Sequence, residues 1–171
     1  MSDLVALARG SATRVVVNDR VDIALACGAA GVHLRGDSMP ASVVRTIAPA
    51  NFLIGRSVHS VAEALAAGAG VDYLLAGTVW PTSAKPPGRA VLGVDGLAAI
   101  VEAAAVPVLA IGGVTWDRVG EVAARGGAGI AGIGLFMGSE PGRARAPCRA
   151  VPLGEVATAA RARFDTSATA P

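Results

Sequence analysis

One phrase recurs along this 171-residue chain: an apolar helical stretch, a glycine, a short link, then a short run of β-branched and leucine residues. "CGAAGVHL" (27–34), "AGAGVDYLL" (67–75) and "GGAGIAGI" (126–133) are three copies of it. A glycine just past a helix supplies a left-handed cap, and a helix between two strands leaves them parallel. Six apolar runs read as strands: "TRVVVN" (13–18), "GVHL" (31–34), "FLIGRSV" (52–58), "DYLLAG" (72–77), "VPVLAIGG" (106–113) and "AGIAGIG" (128–134). None alternates with polar residues, which predicts strands buried on both faces. Between them "RVDIALACG" closes on Gly28, "SVAEALAAG" on Gly68 and "WDRVGEVAARGG" on Gly126 and Gly127, each with a helical pattern. This rhythm demands a parallel α/β sheet, either a barrel or an open doubly wound sheet.

The runs start mostly about 20 residues apart. The exception follows Gly77, where "TVWPTSAKPPGRAVLG" (78–93) forms a long Pro/Gly-rich connection before the helical "VDGLAAIVEAAA". A long loop after a barrel strand is where function concentrates. A closed (β/α)8 barrel has eight strands and roughly 250 residues, so six runs are too few. The first ten residues read as the tail of a helix before the first run. The chain is therefore expected to be an N-terminally truncated TIM barrel entered at its third strand, with strands 3 to 8 spanning residues 1–138. A start placed too late, with about 50 residues of barrel before it, is preferred over an edge paired with a partner. Residues 139–152 read as a basic Pro-rich loop, 153–164 as a terminal helix and 165–171 as a disordered tail.

Composition narrows the function classes. Net charge is +2 and the basic residues form no run, so nucleic acid is not expected as a partner. No apolar run is long enough for a transmembrane helix, and the N-terminus lacks the form of a signal peptide. Cys27 and Cys148 lie far apart in no metal-ligand spacing, which suits a reduced, cytoplasmic setting.

Barrel chemistry sits at the C-terminal ends of the strands. Those ends are Asn18-Asp19-Arg20, His33-Leu34-Arg35, Arg56-Ser57 running into His59, then Thr82, Ser83 and Lys85, then Gly112-Gly113, and last Gly132 to Gly134. The glycine pairs can expose backbone N–H groups to a phosphate, or they can be tight turns with no ligand. Asn18-Asp19 offers a metal or diphosphate contact, or a helix N-cap. His33 reads as a strand-end histidine satisfied by a neighbour. His59, where an apolar run stops and a helix starts, is either a surface side chain or an acid/base group at a barrel mouth. Lys85 is a ligand for an anion or a solvated loop lysine. Arg35-Gly36-Asp37 is set aside as chance.

Taken in order, these segments resemble the thiamine phosphate synthase/TenI superfamily. "VVVNDRVDIALACGAAGVHL" resembles its N-D-R to G-V-H-L signature, and "IGRSVHS" its fifth-strand G-x-S-x-H-S. "DYLLAGTVWPTSAKPPG" resembles the stretch that follows the sixth strand, and "VPVLAIGGV" the seventh. The resemblance covers residues 4 to 138 and implies a (β/α)8 barrel of the thiamine phosphate synthase type. Two activities share it. The synthase couples hydroxymethylpyrimidine diphosphate to thiazole phosphate with Mg2+. The TenI-type tautomerase moves a proton on a thiazole phosphate carboxylate and needs no cofactor.

Three departures weigh against the synthase. Ser38 stands where its second metal aspartate is expected, with Asp37 one residue early; Ala84 replaces a threonine; Gly134 replaces a serine. Asp19 alone is a thin ligand set for Mg2+. The resemblance is therefore read as nearer to the tautomerase. In that reading His59 and Lys85 are catalytic, His59 shuttling the proton, while Asn18, Ser57, Thr82, Gly112, Gly113, Ile133 and Gly134 bind substrate and phosphate. The alternatives are a synthase with Asp19 on Mg2+, and a non-catalytic phosphate-ligand binder. Members of the superfamily commonly form dimers, so a homodimer is implied, with thiazole phosphate as the small-molecule partner.

Overall fold

The computed structural model describes residues 1–82, 90–137 and 153–168, with the side chains of 136–137, 153–156 and 166–168 outside that description. Six parallel strands form one sheet in sequence order: β1 (Val16–Asn18), β2 (Gly31–Leu34), β3 (Leu53–Val58), β4 (Tyr73–Gly77), β5 (Val108–Ile111) and β6 (Gly129–Ala131). Helices alternate with them: α1 (Ser2–Ala8), α2 (Val21–Ala26), α3 (Ala41–Ile47), α4 (Val61–Ala66), α5 (Gly93–Ala103) and α6 (Val119–Ala124). A 3-10 turn over Trp116–Arg118 leads into α6, and α7 (Ile133–Met137) and α8 (Leu153–Ala168) follow β6. Strand order that equals chain order means every crossover moves the same way, the βα winding expected from the glycine phrase.

The caps follow that phrase. Gly28, Gly68 and Gly126 adopt φ of 65°, 70° and 75° after α2, α4 and α6, a region where a side chain would be strained. Ser60 caps α4 by accepting from the Glu63 N–H at 3.1 Å. Glu63 Oε2 reaches back to accept from the His59 N–H at 2.8 Å. This reciprocal pair resembles a capping box shifted by one residue.

The two faces of the sheet differ, which corrects the expectation of strands buried on both sides. Alternate residues point to opposite faces. Val17, Val32, Leu34, Ile54, Val58, Leu74, Ala76, Val108 and Ala110 form a sealed row, none more than 5% exposed, and the core cluster joins them to Val21, Ala24, Val44, Leu97, Ile100 and Val122 of the helices. On the other face Val16, His33, Leu53, Ser57, Tyr73, Leu75, Leu109 and Ile111 are only half-buried. Apolar residues occur on both faces, so the strands carry no alternation to read.

The last run also differs from expectation: β6 stops at Ala131 and α7 begins at Ile133, so Ile133 and Gly134 are helical rather than in a strand. The strand is short because the chain turns into α7 directly beyond it. Residues 138–152, including Cys148, lie outside the described residues. The terminal helix runs to Ala168, four residues into the stretch expected as a disordered tail. It packs on α6, with Ala160 buried and Phe164 against the core, so tertiary contact adds to a weak local propensity. Among the described residues no helix is long and apolar enough to cross a membrane.

Candidate functional site

The C-terminal ends of β1 to β4 bring Asn18, Asp19, His33, Ser57 and His59 to one rim. Asn18, His33, Gly55 and Tyr73 are successive cross-strand partners in one row. Asn18 is exposed at the rim. Asp19, the next residue, has φ 61°, a left-handed conformation that aspartate tolerates better than most residues. Its N–H donates to the His33 carbonyl at 2.8 Å, and its Oδ1 accepts from the Ser38 hydroxyl. Backbone in this region is typical of functional turns and persists when its surroundings fix it.

The loop after β2 is held around that carboxylate. Ser38 Oγ accepts from the Arg35 N–H at 2.8 Å. Arg35 pairs with Asp37 through two bonds of 3.0 and 2.8 Å and lies 3.8 Å from Asp19. The Arg35 guanidinium holds the exposed Asp37 carboxyl below its usual range. Arg56 reaches across from β3 to the Gly36 carbonyl at 2.9 Å and the Met39 carbonyl at 3.3 Å. Asp37 is thus tied to Arg35 rather than beside Asp19, and Ser38 takes the place next to Asp19. Among the described residues no three His, Cys, Asp or Glu side chains gather as a metal cluster. One carboxylate anchored by a hydroxyl nevertheless suits Mg2+, which keeps several waters and takes most of its remaining ligands from substrate phosphates.

Deeper on the half-buried face, His33 bonds through both ring nitrogens: Nδ1 to the Tyr73 hydroxyl at 3.1 Å and Nε2 to Ser57 Oγ at 2.8 Å. The two rings stack with centroids 5.7 Å apart. Gly55 makes this possible: a Cβ there would lie 2.0 Å from Tyr73 Cζ. Burial lowers the His33 pKa below its ordinary 6.5 and, with the Asp72 charge second, raises that of Tyr73. The reading of His33 as a histidine satisfied by neighbours matches this geometry. Gly55 and Tyr73 were not singled out from sequence; a glycine one strand away from a tyrosine gives no local signal.

His59 lies exposed just past β3. Its Nδ1 meets the Gly77 carbonyl at the end of β4. A carbonyl only accepts, so Nδ1 carries the proton and Nε2 is the nitrogen left for a ligand. Beyond Gly77 the chain turns back on itself: Leu92 N–H donates to the Thr78 carbonyl at 2.8 Å and Gly93 N–H to the Val79 carbonyl at 3.0 Å. The long connection therefore leaves and rejoins the rim at one place. Thr82 is half-buried on its near side; Ser83, Ala84 and Lys85 lie outside the described residues.

Gly112 and Gly113 follow β5 with φ of 96° and 64°. A Cβ on Gly112 would lie 2.5 Å from Thr78 Cγ2, and one on Gly113 2.6 Å from the Pro81 carbonyl oxygen. Packing of the 78–81 segment on this turn accounts for both glycines without a ligand. Arg118 seals the turn from outside, donating to the Gly113 carbonyl at 2.7 Å and stacking over Trp80 at 5.1 Å. Ile133 is 79% exposed on α7. The described residues thus bring Asn18, Asp19, Ser57 and His59 to one part of the rim, with Thr82, Gly112 and Gly113 on the β4–β5 side.

The chain is similar to proteins named thiamine-phosphate synthase. The thiamine monophosphate synthase (TMP-TENI) family matches residues 1–136. A thiamine-phosphate synthase of Methanoregula boonei is 46% identical over 134 residues, 78% of this chain and 62% of that protein. The thiamine-phosphate synthase of Pyrococcus furiosus is 50% identical over 125 residues, 72% of this chain and 59% of that protein. The chain thus spans about 60% of the length of these relatives. A solved thiamine phosphate pyrophosphorylase from Pyrococcus furiosus superposes with a TM-score of 0.78 at 40% identity, covering 97% of this chain and 74% of that one. These identities overturn the preference for a metal-independent tautomerase. Replacement of a metal aspartate by Ser38 weighed too heavily in that preference, because the hydroxyl keeps contact with Asp19.

Proposed function

Because the chain belongs to the thiamine monophosphate synthase family, we propose that its activity is the coupling of hydroxymethylpyrimidine diphosphate to thiazole phosphate. The six strands are read as strands 3 to 8 of a (β/α)8 barrel. The observation that carries the proposal is the 46–50% identity to proteins named thiamine-phosphate synthase over 134 and 125 residues of the chain. In this reaction the thiazole nitrogen forms a C–N bond to the pyrimidine methylene while the C–O bond to diphosphate breaks. Diphosphate leaves with the electron pair.

In this reading Asp19 would hold Mg2+ together with substrate oxygens, and Ser38 orients its carboxylate. The bound ion would neutralise charge on the departing diphosphate. Asn18 and Ser57 donate hydrogen bonds to the pyrimidine diphosphate from the rim of β1 and β3. Thr82 and Lys85 bind it from the long loop. Backbone N–H groups of Gly112, Gly113, Ile133 and Gly134 hold the thiazole phosphate. His59, with its Nδ1–H fixed on Gly77, turns Nε2 to the substrates. A homodimer is the proposed assembly.

The test is formation of thiamine phosphate from the two heterocycles by the purified chain at millimolar Mg2+. Product should form and should vanish in EDTA. Asp19→Ala should lower kcat/KM about 100-fold, and Ser38→Ala about 10-fold, as for a group acting through a metal ligand. No product at millimolar Mg2+ from a chain with an intact circular dichroism spectrum would sink the proposal.

A further inference from the structure

We propose that His33 is a positioning residue that turns the Ser57 hydroxyl toward bound substrate, as the centre of a relay from the Tyr73 O–H through the imidazole to Ser57 Oγ. The inference rests on the reading of Ser57 as a contact to the pyrimidine diphosphate.

The argument is one of counting protons. The ring lies between two hydroxyls, at 3.1 Å from Tyr73 and 2.8 Å from Ser57. Set between two neutral hydroxyls, a neutral imidazole carries one proton for two bonds. A phenol is far more acidic than an alkyl hydroxyl and is the better donor to a ring nitrogen. Tyr73 therefore donates to Nδ1, the proton sits on Nε2, and Nε2–H donates to Ser57 Oγ. With its oxygen engaged as an acceptor, Ser57 keeps its own hydrogen for a ligand lone pair, such as a phosphoryl oxygen. The opposite tautomer would consume that hydrogen and leave Ser57 only lone pairs, which repel an anion. Three features fix the arrangement. Tyr73 stacks on His33 at 5.7 Å, Gly55 leaves room for the phenol, and strand register places His33 beside Gly55.

The chain has only two histidines, so its imidazole nitrogens are readily assigned by long-range proton–nitrogen correlation on histidine-labelled protein at pH 7.5. His33 should show the neutral Nε2–H tautomer. An Nδ1–H tautomer or a charged ring overturns the proposal. Kinetics supply the second readout. His33→Leu and Ser57→Ala should each raise KM for the pyrimidine diphosphate about 10-fold, as for loss of one hydrogen bond to a charged group. The double variant should be no worse than either single one. His33→Gln, whose amide N–H stands near Nε2, should restore most of the loss. Additive effects, or no rescue by His33→Gln when that variant folds, overturn the relay. Should the wild type form no thiamine phosphate, that result strikes the synthase reading alone, and the tautomer decides this one.

Discussion

Single residues at the rim are held in states they would not choose in water. His33 is the clearest. Its pKa is depressed by burial, so the unfolded chain takes up its proton at a higher pH than the folded chain does. The sign follows: below about 6.5 the unfolded state binds more protons, and stability falls as pH drops through the lower folded value. Stability is at its full value above 6.5. Chemical denaturation of the wild type should therefore show a steeper loss between pH 7.5 and 5 than His33→Gln, which has nothing there to titrate. Equal slopes would show that His33 stays protonatable in the fold. Asp19 is strained in another way, through its backbone at φ 61°. Its carboxylate is thereby presented at the rim instead of continuing the strand.

At the scale of elements, the rim at one end of the strands has a counterpart at the other. Asp72, just before β4, joins three segments. It accepts from the Ile54 N–H at 2.7 Å and from Arg45 of α3 at 2.5 Å. Arg45 also donates to the carbonyls of Gly70 and Phe52, at 2.9 and 2.5 Å. Asp72→Ala would remove the acceptor of the Ile54 N–H and the counter-charge of Arg45, whose guanidinium would keep only its two carbonyl bonds. It should cost about 2 kcal/mol, a value discounted because the pair is partly exposed. Asp72→Asn, which keeps an acceptor, should cost about half as much. Denaturant midpoints compare them, and equal losses would assign the effect to charge alone. Much of this level was legible. The strands "GVHL" and "DYLLAG" fall within a residue of β2 and β4, because glycine caps and turn residues punctuate them. Helix α3 was missed, since "ASVVRTI" follows a proline with no side-chain cap. The site was less legible than the fold. Asn18, Asp19 and Ser57 stood out because strand ends are predictable. Tyr73, and the pairing of His33 with Ser57, did not, because register between strands decides them.

Across the whole molecule, one sheet face is sealed by helices and the other is half-open. Neighbouring leucines on β4 therefore differ in weight. Leu74, 1% exposed, faces the helices, and Leu74→Ala should cost about 3 kcal/mol. Leu75 is half-buried on the opposite face, and Leu75→Ala should cost about 1 kcal/mol. Thermal midpoints of the two variants test this, and similar losses would mean that the open face is covered in solution. The socket at Gly55 has a historical consequence. Any larger residue there collides with the Tyr73 ring, and a smaller residue at 73 leaves an empty space beside His33. Neither position can drift by itself, so the two should be inherited as a unit. A lineage that once exchanged Tyr73 for a small side chain could refill position 55, and its return path would then be closed.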